Sequence, residues 1–140
     1  MKVSEAMTAQ VVTATLKTPV SEIARLMAQI DSGVIPVLED GKVAGMVTDR
    51  DIVIRVVAKG GSLETPASEV MTPGAESCRE DDNVADAAAK MGSLQIRRLM
   101  VLNEGGKVAG ILSLGDIALD YGDKAVGHTL EEISAEPASQ

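Results

Sequence analysis

The sequence predicts an α+β protein made of two β-α-β-β-α repeats related by pseudo-two-fold symmetry. One seven-residue pattern carries most of this. It occurs as Gly45-Met46-Val47-Thr48-Asp49-Arg50-Asp51 and again as Gly110-Ile111-Leu112-Ser113-Leu114-Gly115-Asp116. Both read glycine, two apolar residues, a hydroxyl residue, two variable positions and aspartate. The flanking chain repeats too, with sheet-like runs and helix-like stripes in the same order in both copies.

The repeat is regular. Ser4-Glu5-Ala6-Met7-Thr8 aligns with Ser68-Glu69-Val70-Met71-Thr72 at an offset of 64. Val20-Ser21-Glu22-Ile23-Ala24 aligns with Val84-Ala85-Asp86-Ala87-Ala88, and Ile35-Pro36-Val37-Leu38 with Leu99-Met100-Val101-Leu102, at the same offset. One extra glycine in the Gly105-Gly106 turn then shifts the offset to 65. The string Gly-Lys-Val-Ala-Gly at 41–45 recurs unchanged at 106–110. The copies are placed at 1–58 and 67–122, joined by a linker at 59–66. A short helix and tail occupy 123–140.

Residues 11–14 form a short extended run. Thr18 is a good N-cap and Pro19 suits a first helical position. Val20, Ile23, Ala24, Met27 and Ile30 then make an apolar stripe at helical spacing. Residues 34–38 read as a buried strand. Glu39-Asp40-Gly41-Lys42 reads as a hairpin turn, and 43–47 as the returning strand. A helix follows over 49–58, with Ile52, Val53, Val56 and Val57 apolar. In the second copy Asp82 caps a helix whose inner face is Val84, Ala87, Ala88, Met91 and Leu94. Strands 98–102 and 108–112 flank the turn Asn103-Glu104-Gly105-Gly106. A last helix starts near Leu114 and weakens beyond Tyr121. The terminal helix is placed at 123–133 on Ala125, Val126, Leu130 and Ile133, with a frayed end from Ser134.

Composition narrows the function. The chain has 140 residues, 45% of them apolar, with Tyr121 the single aromatic. A half of about 60 residues would bury a marginal core alone, so the halves are expected to pack together. Any ring-shaped ligand must lie against aliphatic side chains, which excludes the aromatic stacking platforms of single-strand binders. The net charge of −8 opposes nucleic acid as the main partner. Cys78 is the only cysteine and His128 the only histidine. One cysteine cannot build a thiol zinc cluster, and a lone histidine near the C-terminus argues against a single-chain Cys/His metal site and against a Ser-His-Asp triad. No signal peptide and no bilayer-spanning run is recognisable, so a cytoplasmic protein is expected.

The motif itself points to a ligand class. Each hydroxyl residue stands where a strand hands over to a helix, and Thr48 with Asp51, or Ser113 with Asp116, fits a capping box. One isolated copy needs no further explanation. Yet a helix start also offers N–H donors and the positive end of a dipole to an anion. A carboxylate one turn in can accept from both hydroxyls of a ribose. Two copies at equivalent places, each behind an apolar strand and a glycine, favour a nucleotide phosphate and ribose.

Glycine-apolar-x-Thr/Ser-x-x-Asp closing a sheet-and-helix repeat, twice, resembles the cystathionine-beta-synthase (CBS) domain pair, or Bateman module. The Met-Thr starts of both copies, Ile35-Pro36-Val37 and Val47-Thr48-Asp49-Arg50-Asp51-Ile52 are typical of that family. The resemblance covers residues 3–122 and implies a regulatory module for adenosine-containing ligands: AMP, ADP or ATP, or S-adenosylmethionine or NAD. It implies two face-to-face sheets with two nucleotide clefts between the copies, and no required cofactor. Carried over, Thr48 meets a phosphate and Asp51 the ribose in one site, with Thr13, Ala14, Val34, Ile35 and Pro36 flanking the adenine. Ser113 and Asp116 take those roles in the other, flanked by Ser77, Cys78, Arg98, Leu99 and Met100. Met100 replaces the family's usual proline, and Gly115 loosens the second loop.

Arg50 lies inside the first motif, and Arg97 and Arg98 adjoin the second pocket; their guanidinium forks suit phosphate, although each can equally be a solvated or carboxylate-paired arginine. Cys78 reads as a small half-buried residue. Glu80-Asp81-Asp82 reads as a solvated turn with a helix cap, and His128 as a surface residue. No catalytic constellation is recognisable, so no enzyme and no metal site is expected. The expected partners are an adenosine-containing small molecule, a second copy in a two-fold homodimer, and an effector protein. Neither membrane nor nucleic acid is expected as a main partner. The alternative is a CBS-pair interaction protein that no longer binds nucleotide.

Overall fold

The computed structural model describes residues 1–9, 12–74, 76–120 and 132–134. Val11, Tyr121, His128, most of the expected terminal helix and the tail beyond 134 lie outside them. Residues 132–134 are helical. The chain divides into two units. One contains residues 11–75. The other contains 1–10 together with 76–140.

In the first of these units, β2 (Ala14–Thr15), β3 (Val34–Glu39), β4 (Lys42–Thr48) and β5 (Thr72–Pro73) form one sheet in that order. β2 runs parallel to β3, and the other pairs are antiparallel. The second unit repeats the order with β6 (Ser77–Arg79), β7 (Arg98–Leu102), β8 (Val108–Ser113) and β1 (Thr8–Ala9). The repeat expected from sequence therefore extends to strand order, sense and even to a register irregularity at equivalent places in each hairpin, between Val37 and Leu38 and between Val101 and Leu102.

The fourth strand of each sheet comes from the leading segment of the other sequence copy. The short helix α1 (Val3–Ala6) and β1 complete the sheet of residues 76–120. The equivalent α4 (Ala67–Val70) and β5 complete the sheet of residues 14–48. Matching backbone hydrogen bonds hold both: Val3 N to Asp82 O and Ala67 N to Thr18 O, each at 2.8 Å. Val3 and Ala6 are buried in one core with Met91, Leu99, Val101, Leu112 and Ile117. Ala67 and Val70 are buried in the other with Ile23, Ile35, Val37, Val47 and Val56.

This exchange also starts the long helices. α2 (Val20–Ile30) has no side-chain cap. Thr18 was expected there, but its Oγ1 accepts from Thr15 N instead, at 2.9 Å. The first-turn donors Val20 N and Ser21 N go to the carbonyls of Thr65 and Leu63, at 2.9 and 3.0 Å. A neighbouring backbone thus satisfies N–H groups that a helix leaves open. In α5 (Val84–Leu94) the cap is Asn83, whose Oδ1 accepts from Ala85 N at 2.8 Å. The expected cap, Asp82, accepts from Arg79 N at 2.9 Å and stabilises the preceding turn. Val84 N goes to Met1 O, the counterpart of the Thr65 bond. The first strand also begins later than expected, at Ala14, where parallel pairing with Val37 begins.

The helices behind the motifs differ. α3 (Asp49–Ile52) passes into a π-helical turn, Val53–Val57. There Ala58 N reaches Val53 O at 2.8 Å. Of the expected apolar face only Val56 is fully buried, whereas Val53 and Val57 are 54% and 62% exposed and the neighbouring Ile54 is 47% exposed. α6 (Leu114–Asp120) is regular and buries Leu114 and Ile117. Among the described residues no helix is long and apolar enough to cross a membrane.

The motif glycines allow the exchange. A Cβ on Gly45 would fall on the carbonyl oxygen of Thr72, and one on Gly110 on that of Thr8. Met71 Sδ and Met7 Sδ lie 3.2 and 3.0 Å from the same two positions. Backbone cannot yield as a flexible side chain can. Gly45→Ala and Gly110→Ala should each lower unfolding free energy by about 1–3 kcal/mol, the scale of overpacking. Gly105→Ala, whose added carbon meets only Asn103 Oδ1 at 3.5 Å, should stay within about 0.5 kcal/mol. Urea melts of the three variants check this.

Candidate functional site

Each motif hydroxyl lies at the last residue of a strand, where extended backbone turns into a helix. Thr48 has φ −107° and ψ 162°, an N-cap conformation. Its Oγ1 accepts from Asp51 N at 3.1 Å, and Asp51 Oδ2 accepts from Thr48 N at 2.9 Å. In the other unit Ser113 Oγ accepts from Asp116 N at 3.1 Å, and Asp116 Oδ2 accepts from Ser113 N at 3.0 Å. The two boxes agree to within 0.1 Å despite Gly115, so the expected loosening of the second loop does not alter the box.

The flanking residues come from adjacent strands. Val34 pairs with Thr48, Ile35 with Val47 and Pro36 with Met46, and Ala14 of the neighbouring strand pairs with Val37. Thr13 directly precedes Ala14 and is half-buried. Equivalently, Arg98 pairs with Ser113, Leu99 with Leu112 and Met100 with Ile111. Ser77 pairs with Met100 and Cys78 with Val101. Within each unit the sequence-predicted residues therefore lie on three contiguous strands and the helix start behind them. The Pro-to-Met change has a local consequence: Met100 N donates to Glu76 O at 3.0 Å, a bond that Pro36 cannot make.

The entry to each helix is held from the neighbouring strand start. Asp49 N donates to Gly33 O at 2.9 Å, and Leu114 N to Arg97 O at 3.1 Å. A Cβ on Gly33 would stand 2.9 Å from Asp49 Oδ2, so glycine there leaves room for that carboxylate. Arg50 is exposed, and its backbone N–H donates to Asp49 Oδ1 at 2.8 Å. Arg97 is exposed and Arg98 half-buried.

Two residues beside the carboxylates were not singled out from sequence. Arg55 Nε stands 3.8 Å from Asp51 Oδ1, and its Nη1 donates to Met71 O at 3.2 Å. The Asp51-to-Arg55 spacing of four on a helix was the available signal. Thr8 Oγ1 donates to Asp116 Oδ1 at 3.2 Å. Nothing in the local sequence links residues 108 positions apart. A cavity of about 300 Å³ by the β3–β4 hairpin is lined by Glu39, Asp40, Lys42, Val43 and Ala44 and includes no predicted site residue. Among the described residues no cluster of metal-ligating side chains forms.

A family profile for the CBS domain matches residues 3–58 and again 67–121. The chain belongs to the CBS-domain family. The CBS domain-containing protein YhcV of Bacillus subtilis is 40% identical over 133 residues, spanning 94% of each chain. Among solved structures, the CBS domain protein PAE2072 of Pyrobaculum aerophilum, complexed with AMP, superposes with a TM-score of 0.76 at 25% identity. That match covers 96% of this chain and all of the other. CBSX2 in complex with AMP gives a TM-score of 0.69 at 25% identity, covering 84% of this chain and 93% of that one. The fold is thus a tandem CBS pair, as the repeated motifs implied.

Cys78 is 6% exposed, more enclosed than expected. Burial pushes its thiol from an ordinary 9.0 up to about 11; Asp82 adds to the rise and Lys90 opposes it. The folded chain therefore keeps a proton that the unfolded chain loses. Stability from this group is intact below pH 9.0 and is lost as pH rises towards about 11. Urea midpoints at pH ~8 and ~10.5 should fall further in the unaltered protein than in Cys78→Ala. An equal fall would contradict the assignment.

Proposed function

We propose that this CBS pair is a regulatory module that binds an adenosine nucleotide, AMP, ADP or ATP, with S-adenosylmethionine and NAD as the other adenosine-containing candidates. The observation that carries the reading is the repeated box. In both units Oδ2 of the aspartate accepts from the strand-end N–H, while Oδ1 retains capacity to accept. Thr48 and Ser113 are assigned to phosphate, Asp51 and Asp116 to ribose. Thr13, Ala14, Val34, Ile35 and Pro36 flank one base; Ser77, Cys78, Arg98, Leu99 and Met100 flank the other. Arg50 is assigned to phosphate. AMP in the structures of PAE2072 and CBSX2 supports the ligand class.

The module is read as a sensor without chemistry, acting in the cytoplasm through an effector protein or through the shape of a homodimer. Exposed Val53, Ile54 and Val57 on the π-helical turn supply an apolar patch for a second copy. A sensor without chemistry predicts that ATP with magnesium shows no protein-dependent, sustained ADP release.

Calorimetry with AMP tests the site. Asp51→Ala and Asp116→Ala should each cost about 1–3 kcal/mol at one site, the scale of a hydrogen bond to a charged group. Unchanged affinity in the double variant would leave both aspartates as helix caps alone. That outcome favours an interaction protein that has lost nucleotide binding. Light scattering should give a dimer mass at micromolar concentration; a monomer mass with and without AMP would remove the dimer.

A further inference from the structure

The two motif aspartates are alike at the inner oxygen and unlike at the outer one. Asp116 Oδ1 already accepts a hydrogen bond, from Thr8 Oγ1 at 3.2 Å. Asp51 Oδ1 instead faces Arg55 Nε at 3.8 Å. That separation is an ion pair, too long for a hydrogen bond. The guanidinium donates to main-chain carbonyls instead, to Met71 O at 3.2 Å and to Val70 O at 3.4 Å. Arg55 therefore places a positive charge beside Asp51 without using the lone pairs of its outer oxygen.

We propose that Thr8 is a specificity-determining residue: its hydroxyl holds the Asp116 oxygen that a ribose would use, so the two copies bind adenosine ligands unequally. The site of Thr48 and Asp51 is the tighter one. This rests on the nucleotide reading above and adds which copy fills first and why.

The argument is one of acceptor capacity. A carboxylate offers about four lone-pair sites. In Asp116 one is used by Ser113 N and one by Thr8 Oγ1. One site is left on each oxygen, so a ribose whose two hydroxyls both approach the outer oxygen, Oδ1, must displace Thr8 from it. Thr8 is exposed, so a displaced hydroxyl returns to water and leaves no buried orphan. The penalty is accordingly that of one ordinary neutral hydrogen bond rather than of a buried polar group. It corresponds to about 2- to 10-fold in affinity. Thr8→Val removes the hydroxyl while keeping shape, β-branching and strand preference.

The test is calorimetry with AMP and with 2′,3′-dideoxy-AMP, which lacks both ribose hydroxyls. In an Asp51→Ala background, which isolates the second site, adding Thr8→Val should tighten AMP about 2- to 10-fold and leave the dideoxy analogue unchanged. If the Asp51→Ala chain fails to fold, a two-site fit to Thr8→Val alone should show the weaker constant tightening. Unchanged or weaker AMP binding overturns the proposal, as does an equal gain for the dideoxy analogue, which would mean a general structural effect. AMP binding that persists while Thr8→Val does nothing refutes this inference alone. Absence of binding to the unaltered protein removes it together with the nucleotide reading.

Discussion

Each CBS repeat is completed by the leading segment of the other. The segments are short: α1 and α4 have four residues each, β1 and β5 two. None would persist alone, since a single helical turn costs more conformational freedom than its hydrogen bonds return. They are ordered because they close something. Thr65 O and Met1 O take the first free N–H of α2 and α5. β5 and β1 pair with the outer sides of β4 and β8, which otherwise expose unpaired backbone. The cost is a strict requirement at two positions, because the chain passes so near the motif strands that only glycine fits at 45 and 110. The motif glycine is thus a packing requirement for the crossing chain.

The same crossing positions the site. It fixes β4 and β8 from one side while β3 and β7 fix them from the other, so the strand ends at Thr48 and Ser113 are well placed. Each hydroxyl then starts a helix, and the helix returns a carboxylate to the strand end through the box. One group serves two purposes: Oδ2 of the aspartate stabilises the helix start, and the geometry this imposes determines where Oδ1 lies. The crossing chain also reaches that outer oxygen. Thr8 does so directly, and the segment ending at Met71 does so through Arg55. Fold and candidate site are therefore coupled through a few hydrogen bonds.

Much of this was legible in the sequence. The duplicated Gly-Lys-Val-Ala-Gly string fixed equivalent hairpins, and the apolar spacing placed α2, α5 and the four long strands. The capping boxes followed from a hydroxyl and an aspartate three residues apart. What local reasoning missed was supplied by distant chain. Thr18 and Asp82 have the right side chains for N-caps, but a backbone carbonyl from the crossing segment and the neighbouring Asn83 took those roles. The π-helical turn over Val53–Val57 has no signature in its sequence, four β-branched residues around Arg55. Thr8 was visible as part of a repeated start, yet its tie to Asp116 depends on threading that no local pattern records.

The central claim is that the motif carboxylates, already used as helix caps, also hold the ribose of an adenosine ligand. A crystal structure of the protein grown with AMP tests it most directly. The account predicts ribose hydroxyls within hydrogen-bond distance of Asp51 Oδ1 and phosphate oxygens at Thr48, with the box distances preserved. AMP bound elsewhere, with the outer oxygen of Asp51 still facing only Arg55, would contradict it.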